Sequence, residues 1–121
     1  MASVFETTAG LSIGYTTGSA VTQATNKATG VTINSAAGQI TMNGAALADA
    51  AEVTFVVTND KVAATDVPYV VHENTGTAGA YVIQVTAVAA GSFKVTVGNV
   101  SGGSLSEAIV LNYAVFKSAA S

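Results

Sequence analysis

The chain has 121 residues, of which 50% are apolar and 9% charged, with a net charge of −3 and no cysteine. This balance excludes wholesale disorder and leaves one domain as the default; the missing thiols exclude disulfides, thiolate metal sites and cysteine nucleophiles. Lys27, Lys61, Lys94 and Lys117 are far apart in sequence and arginine is absent, which argues against nucleic-acid binding, and no run approaches about 18 apolar residues, which argues against a membrane-spanning helix.

Residues 1–19 form the first unit, a Thr/Ser/Gly-rich stretch dotted with Phe5, Leu11, Ile13 and Tyr15. It reads as an extended N-terminal arm with apolar anchors. Its start has neither the basic nor the apolar region of a secretory signal, so synthesis and retention in a cytoplasm are expected. Residues 20–121 form the second unit, a β-sandwich.

Short strands are predicted at 20–25, 30–34 and 39–42, with turns at Asn26-Lys27, at 35–38 and at Asn43-Gly44. Residues 45–51 are the only helical candidate, at most a single turn. Glu52–Thr58 is the clearest strand: Val53, Phe55 and Val57 share one face at period two, and Asn59-Asp60 ends it. Val67–His72 follows and carries the only proline, Pro68, which points to a strand start or a sheet edge. Strands at 81–88, 91–98 and 107–117 complete the count, with Ile83, Val85, Phe93, Val95, Val97, Leu111 and Tyr113 added to the expected core. About eight short strands predict an all-β, antiparallel, jelly-roll-like sandwich.

The last strand is apolar on both faces, yet a sandwich strand buries only one of them internally. Val110, Ala114 and Phe116 are therefore expected to meet another subunit or another segment. Phe5, Leu11, Ile13 and Tyr15 are the candidate contacts to a larger partner, since flexible sequence with spaced anchors can order on binding.

Catalytic signatures are missing. The single histidine, His72, has no motif around it and reads as a strand-end residue with its ring partly in water. One histidine cannot form a three-histidine zinc site. The acidic residues sit beside predicted turns and strand ends, and residues 60–66 lack the alternating ligands and central glycine of a calcium loop. No phosphate-binding glycine motif occurs. Asn99-Val100-Ser101 matches a glycosylation sequon, a pattern that arises readily by chance. No enzyme activity, cofactor or metal is expected.

Two segments carry a resemblance. One is VTQATNKATGVTIN at 21–34, continued by GQITMN at 38–43 and AALA at 45–48. The other is AGSF at 90–93, leading to GSLSEAIVLNYAVFK at 103–117. Together they resemble small β-sandwich domains of tailed bacteriophages, which occur as capsid decoration, or cement, proteins and as domains attached to tail-fibre and tail-spike proteins. The resemblance implies a homotrimer on the capsid surface of the virion, made in the bacterial host cytoplasm, with the major capsid protein as partner. It supplies no catalytic residue. The length favours decoration over a fibre, which would add a shaft and an attachment region. The rival expectation is a tail-associated receptor-binding or adhesion module; it is weakened because three of the four tyrosines, Tyr69, Tyr81 and Tyr113, fall inside predicted strands. A bacterial cell-surface module is weakened by the missing signal.

Overall fold

A computed structural model of the protein describes residues 18–73 and 75–118. It holds eight strands: β1 (Ser19–Thr22), β2 (Val31–Thr32), β3 (Ala37–Thr41), β4 (Glu52–Thr58), β5 (Val67–His72), β6 (Tyr81–Ala89), β7 (Ser92–Asn99) and β8 (Val110–Phe116). They form two four-stranded sheets. Sheet A has the order β1-β3-β8-β5 and sheet B the order β2-β4-β7-β6. One apolar cluster, with Ile40, Leu111 and Tyr113 from sheet A and Phe55, Val57, Phe93 and Val95 from sheet B, lies between them. The molecule is therefore an all-β sandwich.

Period-two patterning explains the core. On β8, Leu111, Tyr113 and Val115 are buried while Val110, Asn112 and Ala114 are half-buried and Phe116 is exposed. Of the expected core residues, Phe55, Val57, Phe93, Val95, Val97, Leu111 and Tyr113 are buried, and Val53, Ile83 and Val85 are partly buried against them. Residues 45–51 form no helix; Leu47 makes an isolated bridge to Leu105 instead.

Pairing is antiparallel for β3–β8, β4–β7, β5–β8 and β6–β7. The expectation of a wholly antiparallel sandwich is corrected at one edge of each sheet, where β1–β3 and β2–β4 are parallel. The cause is the path of the chain. From β1 to β5 each successive strand switches sheets, so strands two apart in sequence return in the same direction. The β6–β7 hairpin and β8 then place β7 between β4 and β6, and β8 between β3 and β5. The hairpin joins Ala89 to Ser92 through two residues, and Gly91 takes the positive φ of 83° that so tight a connection demands.

Several boundaries also differ from expectation. The first strand ends at Thr22, where Gln23 turns inward: its side chain donates to the Lys27 and Thr29 carbonyls and accepts from Asn43 N–H. The expected turn at 35–38 is shorter, because Ala37 and Gly38 already pair with Ala114 and Tyr113. A Cβ at Gly38 would lie 2.5 Å from the Ser19 carbonyl oxygen and 3.1 Å from the Tyr113 ring, so glycine lets β1 approach β3 there. β8 starts at Val110 rather than at 107.

Among the described residues, each of the four edge strands carries a feature that limits pairing with a further strand. β2 has two residues and β1 four. β6 carries a bulge between Val85 and Ala87. On β5, Glu73 N–H bonds to the Val110 carbonyl, so by alternation the backbone groups of residue 68 point away from β8. Pro68 thus stands where an edge donor would be exposed, matching the edge position its sequence context suggested.

Candidate interaction surface

Sheet A presents its outer face through alternate residues of four strands. Register places Val67 beside Phe116, Tyr69 beside Ala114, and Val71 beside Asn112. Across β8, Ala114 pairs with Ala37, Asn112 with Gln39, and Val110 with Thr41; Ala20 and Thr22 of β1 continue the last two rows. None of these side chains is charged. Val67, Tyr69 and Phe116 are 61%, 59% and 54% exposed, and Val71 36%. Sheet B differs: its outer face carries Glu52 and Lys94 and a hydroxyl ladder in which Thr96 bonds Thr54 at 2.8 Å and Thr86 at 3.1 Å.

The structure thus brings Val110, Ala114 and Phe116 onto one face. It adds Val67, Tyr69 and Val71, which sequence reasoning placed in a strand but not on this surface. Phe5, Leu11, Ile13 and Tyr15 lie outside the described residues.

A second feature sits at the β5–β6 loop. The Glu107 carboxylate accepts from Thr77 N–H at 3.0 Å, Thr77 Oγ1 at 2.8 Å and Tyr81 Oη at 2.7 Å. The Thr77 backbone donor, followed by the Tyr81 and Thr77 hydroxyls, holds the Glu107 carboxyl below the ordinary carboxylate range. Burial and the carboxylate push the Tyr81 hydroxyl well above the tyrosine range. His72 stacks edge-on against Tyr81, with ring centroids 5.5 Å apart. Its Nε2 bonds the Thr75 carbonyl, so that nitrogen carries the proton. His72, Thr75 and Tyr81 border a concavity of about 370 Å³, and their hydrogen bonds to one another, to Glu107 and to Val110 hold the loop.

Comparison with family models, curated proteins and solved structures found no match.

Asp60 and Asp66, the ends of the loop weighed for calcium, have partners within the fold. Asp66 accepts from Lys117 Nζ and from Ala63 and Ser118 N–H, and the Lys117 ammonium, aided by those amides, holds its carboxyl low. Asp60 only pairs with Lys61 at the surface. Among the described residues, no group of three or more His, Asp or Glu could hold a metal. Lys27 is buried, which sequence spacing did not reveal. Its Nζ donates to the Asn43 and Glu107 carbonyls, and burial lowers its pKa against a partial opposing pull from the Glu107 carboxylate. The sequon residue Asn99 is fully buried, with its amide nitrogen bonded to two carbonyls, so a glycan cannot be attached in the folded state.

The Glu107 latch predicts a pH response. A carboxyl whose folded pKa is depressed stabilises the fold above its unfolded value of about 4.3 and loses that contribution as pH falls through the folded pKa. Melting temperature should therefore fall as the pH drops below the unfolded value. Glu107→Gln should be less stable than wild type at neutral pH and show a shallower acid decline. Asp66 adds a slope of the same sign. Thermal melts of Glu107→Gln and Asp66→Asn from neutral pH into acid check both, and parallel acid limbs for wild type and Glu107→Gln would refute the latch.

Proposed function

We propose that this chain is a non-enzymatic structural protein of a tailed-bacteriophage particle. In this reading it is a decoration, or cement, protein that sits on the capsid surface as a homotrimer, binds the major capsid protein and stabilises the mature head. The supporting observation is the uncharged outer face of sheet A, with Val67, Tyr69 and Phe116 more than half exposed. Surfaces that work by contact are depleted of charge and enriched in aromatic residues at their centres. The sequence resemblance supports the capsid location. Neither a cofactor nor nucleic acid nor a membrane enters the proposal.

The physical task of such a protein is linkage. Packaged DNA strains the contacts between capsid subunits. A protein that binds across intact contacts, and not to separated subunits, stabilises the shell by mass action. Three arms engaging together turn a weak contact into a firm one. The purified protein should co-sediment with expanded heads and not with isolated tails. Pelleting with tails alone would overturn the decoration reading in favour of a receptor-binding module.

A further inference from the structure

We infer that Asn43-Gly44 is a self-modification site: in the folded protein the Asn43 carboxamide is lost as ammonia through a succinimide, and an isoaspartate is left beside Lys27. The modification is independent of where on a particle the protein sits.

Asn43 is the one asparagine of the chain that a glycine follows. Glycine matters because the nucleophile is the next backbone nitrogen, and a Cβ would crowd its approach. Gly44 is exposed, and among the described residues its N–H meets no acceptor, so it is open to base in the solvent. Three contacts arrange the reaction around it. Asn43 Oδ1 accepts from Ala45 N–H at 2.9 Å. This closes a hydrogen-bonded ring that holds Cγ and the Gly44 nitrogen together, and it sets a donor at the oxygen where charge collects when Cγ becomes tetrahedral. The Asn43 backbone carbonyl accepts from Lys27 Nζ. That carbonyl shares its amide with Gly44 N–H, so when the N–H loses its proton, the charge spreads onto the oxygen that Lys27 holds. Asn43 N–H donates to Gln23 Oε1 at 2.9 Å, and Gln23, itself buried, is bonded to the Lys27 and Thr29 carbonyls. The Asn43 backbone is thus fixed at both its donor and its acceptor.

Solvent base takes the Gly44 proton, and the nitrogen bonds to Cγ. The Cγ–Nδ2 bond breaks, and Nδ2 takes a proton from water and leaves as ammonia. Water then opens the ring at one of its two carbonyls. Attack at Cγ restores the ordinary main chain with an aspartate side chain. Attack at the former backbone carbonyl leaves it as a free carboxylate and routes the main chain through Cγ, which is isoaspartate. Lys27 polarises this second carbonyl. The carboxylate formed there also gives its ammonium a counter-charge, where its hydrogen bonds within the described residues go to the neutral Asn43 and Glu107 carbonyls.

The test incubates folded protein in mildly alkaline buffer beside the same protein unfolded in urea. Ammonia release is followed, and peptide mapping separates aspartate from isoaspartate. The folded chain should react at Asn43 faster than the unfolded chain and with a higher ratio of isoaspartate to aspartate. Gly44→Ala should keep the fold, since a Cβ there lies 3.9 Å from Ala108, and should slow the reaction severalfold. Lys27→Met should slow the folded reaction by roughly tenfold, less than an enclosed donor is worth because the site is open to water, and should lower the product ratio to that of the unfolded chain. If Lys27→Met does not fold, the wild-type comparison still decides. Asn43 surviving in the folded protein while it is lost in urea overturns the inference, because the fold then protects the site. Equal rates and equal product ratios in the two states overturn it as well, because the dipeptide alone then accounts for the reaction.

Discussion

Replacing Phe93 with alanine should destabilise the fold by about 3–5 kcal/mol and lower the melting temperature by roughly 10–20 °C. Phe93 is 1% exposed and sits on β7, flanked in register by Val57 of β4 and Val88 of β6. Its ring lies 6.0 Å from that of Tyr113, on sheet A. The side chain therefore spans the space between the sheets at the middle of sheet B. Neighbours on both sides are tied into ladders and cannot collapse into the void, which puts the cost at the upper part of the usual range for large-to-small changes. Denaturant unfolding gives the value directly. A loss below about 1 kcal/mol would mean that the sheets close over the gap, contrary to a rigid core.

The second large effect is expected at Asn99. Its side chain donates to the Leu47 and Gly103 carbonyls, both at 2.8 Å, and accepts from Ser101 N–H at 2.9 Å. Its backbone exchanges bonds with Ala50 and Ala51. One residue thus fastens the β3–β4 and β7–β8 connections to the end of β7. Asn99→Ala should cost about 2–4 kcal/mol through lost buried hydrogen bonds. Asn99→Asp is the sharper probe. It keeps the shape but sets a carboxylate against two carbonyl oxygens, so at neutral pH it should be worse than alanine. Its folded pKa should be raised, so the penalty relative to alanine grows as pH rises above the unfolded value of about 3.9 and shrinks in acid. Unfolding of both variants at neutral and acidic pH tests the order; an aspartate variant as stable as wild type would refute the bonding.

Much of the fold was legible because burial of one face writes itself locally. Val53, Phe55 and Val57 alternate in plain view, as do Leu111, Tyr113 and Val115, and Pro68 marks an edge because a missing N–H is a local fact. What was not legible depends on distant pairing. Nothing near Ala37 or Val31 says that the strand beside it runs parallel, since that direction follows from a crossing to the other sheet. The same limit hid half of the candidate surface. The two apolar faces of β8 were readable, but that Val67, Tyr69 and Val71 stand beside Phe116, Ala114 and Asn112 depends on β5 choosing β8 as its neighbour. Lys27 gave no warning either: its partners are backbone carbonyls of Asn43 and Glu107, which any residue could have supplied.

The placement of β7 and β8 at the centre of the two sheets bears on how the protein is made. A ribosome delivers β1 to β5 first, at about 5–20 residues per second. At that stage β3 and β5 have no strand between them, and β4 has no partner but the two residues of β2. Neither sheet can close until residues beyond 92 emerge, and sheet A waits for the segment that begins at Val110. A nascent chain interrupted before that point therefore has no self-sufficient half to fold. Prematurely terminated products should be cleared by proteases instead of accumulating as folded fragments. Late closure is thus a form of quality control: only finished copies acquire the Val110, Ala114 and Phe116 face.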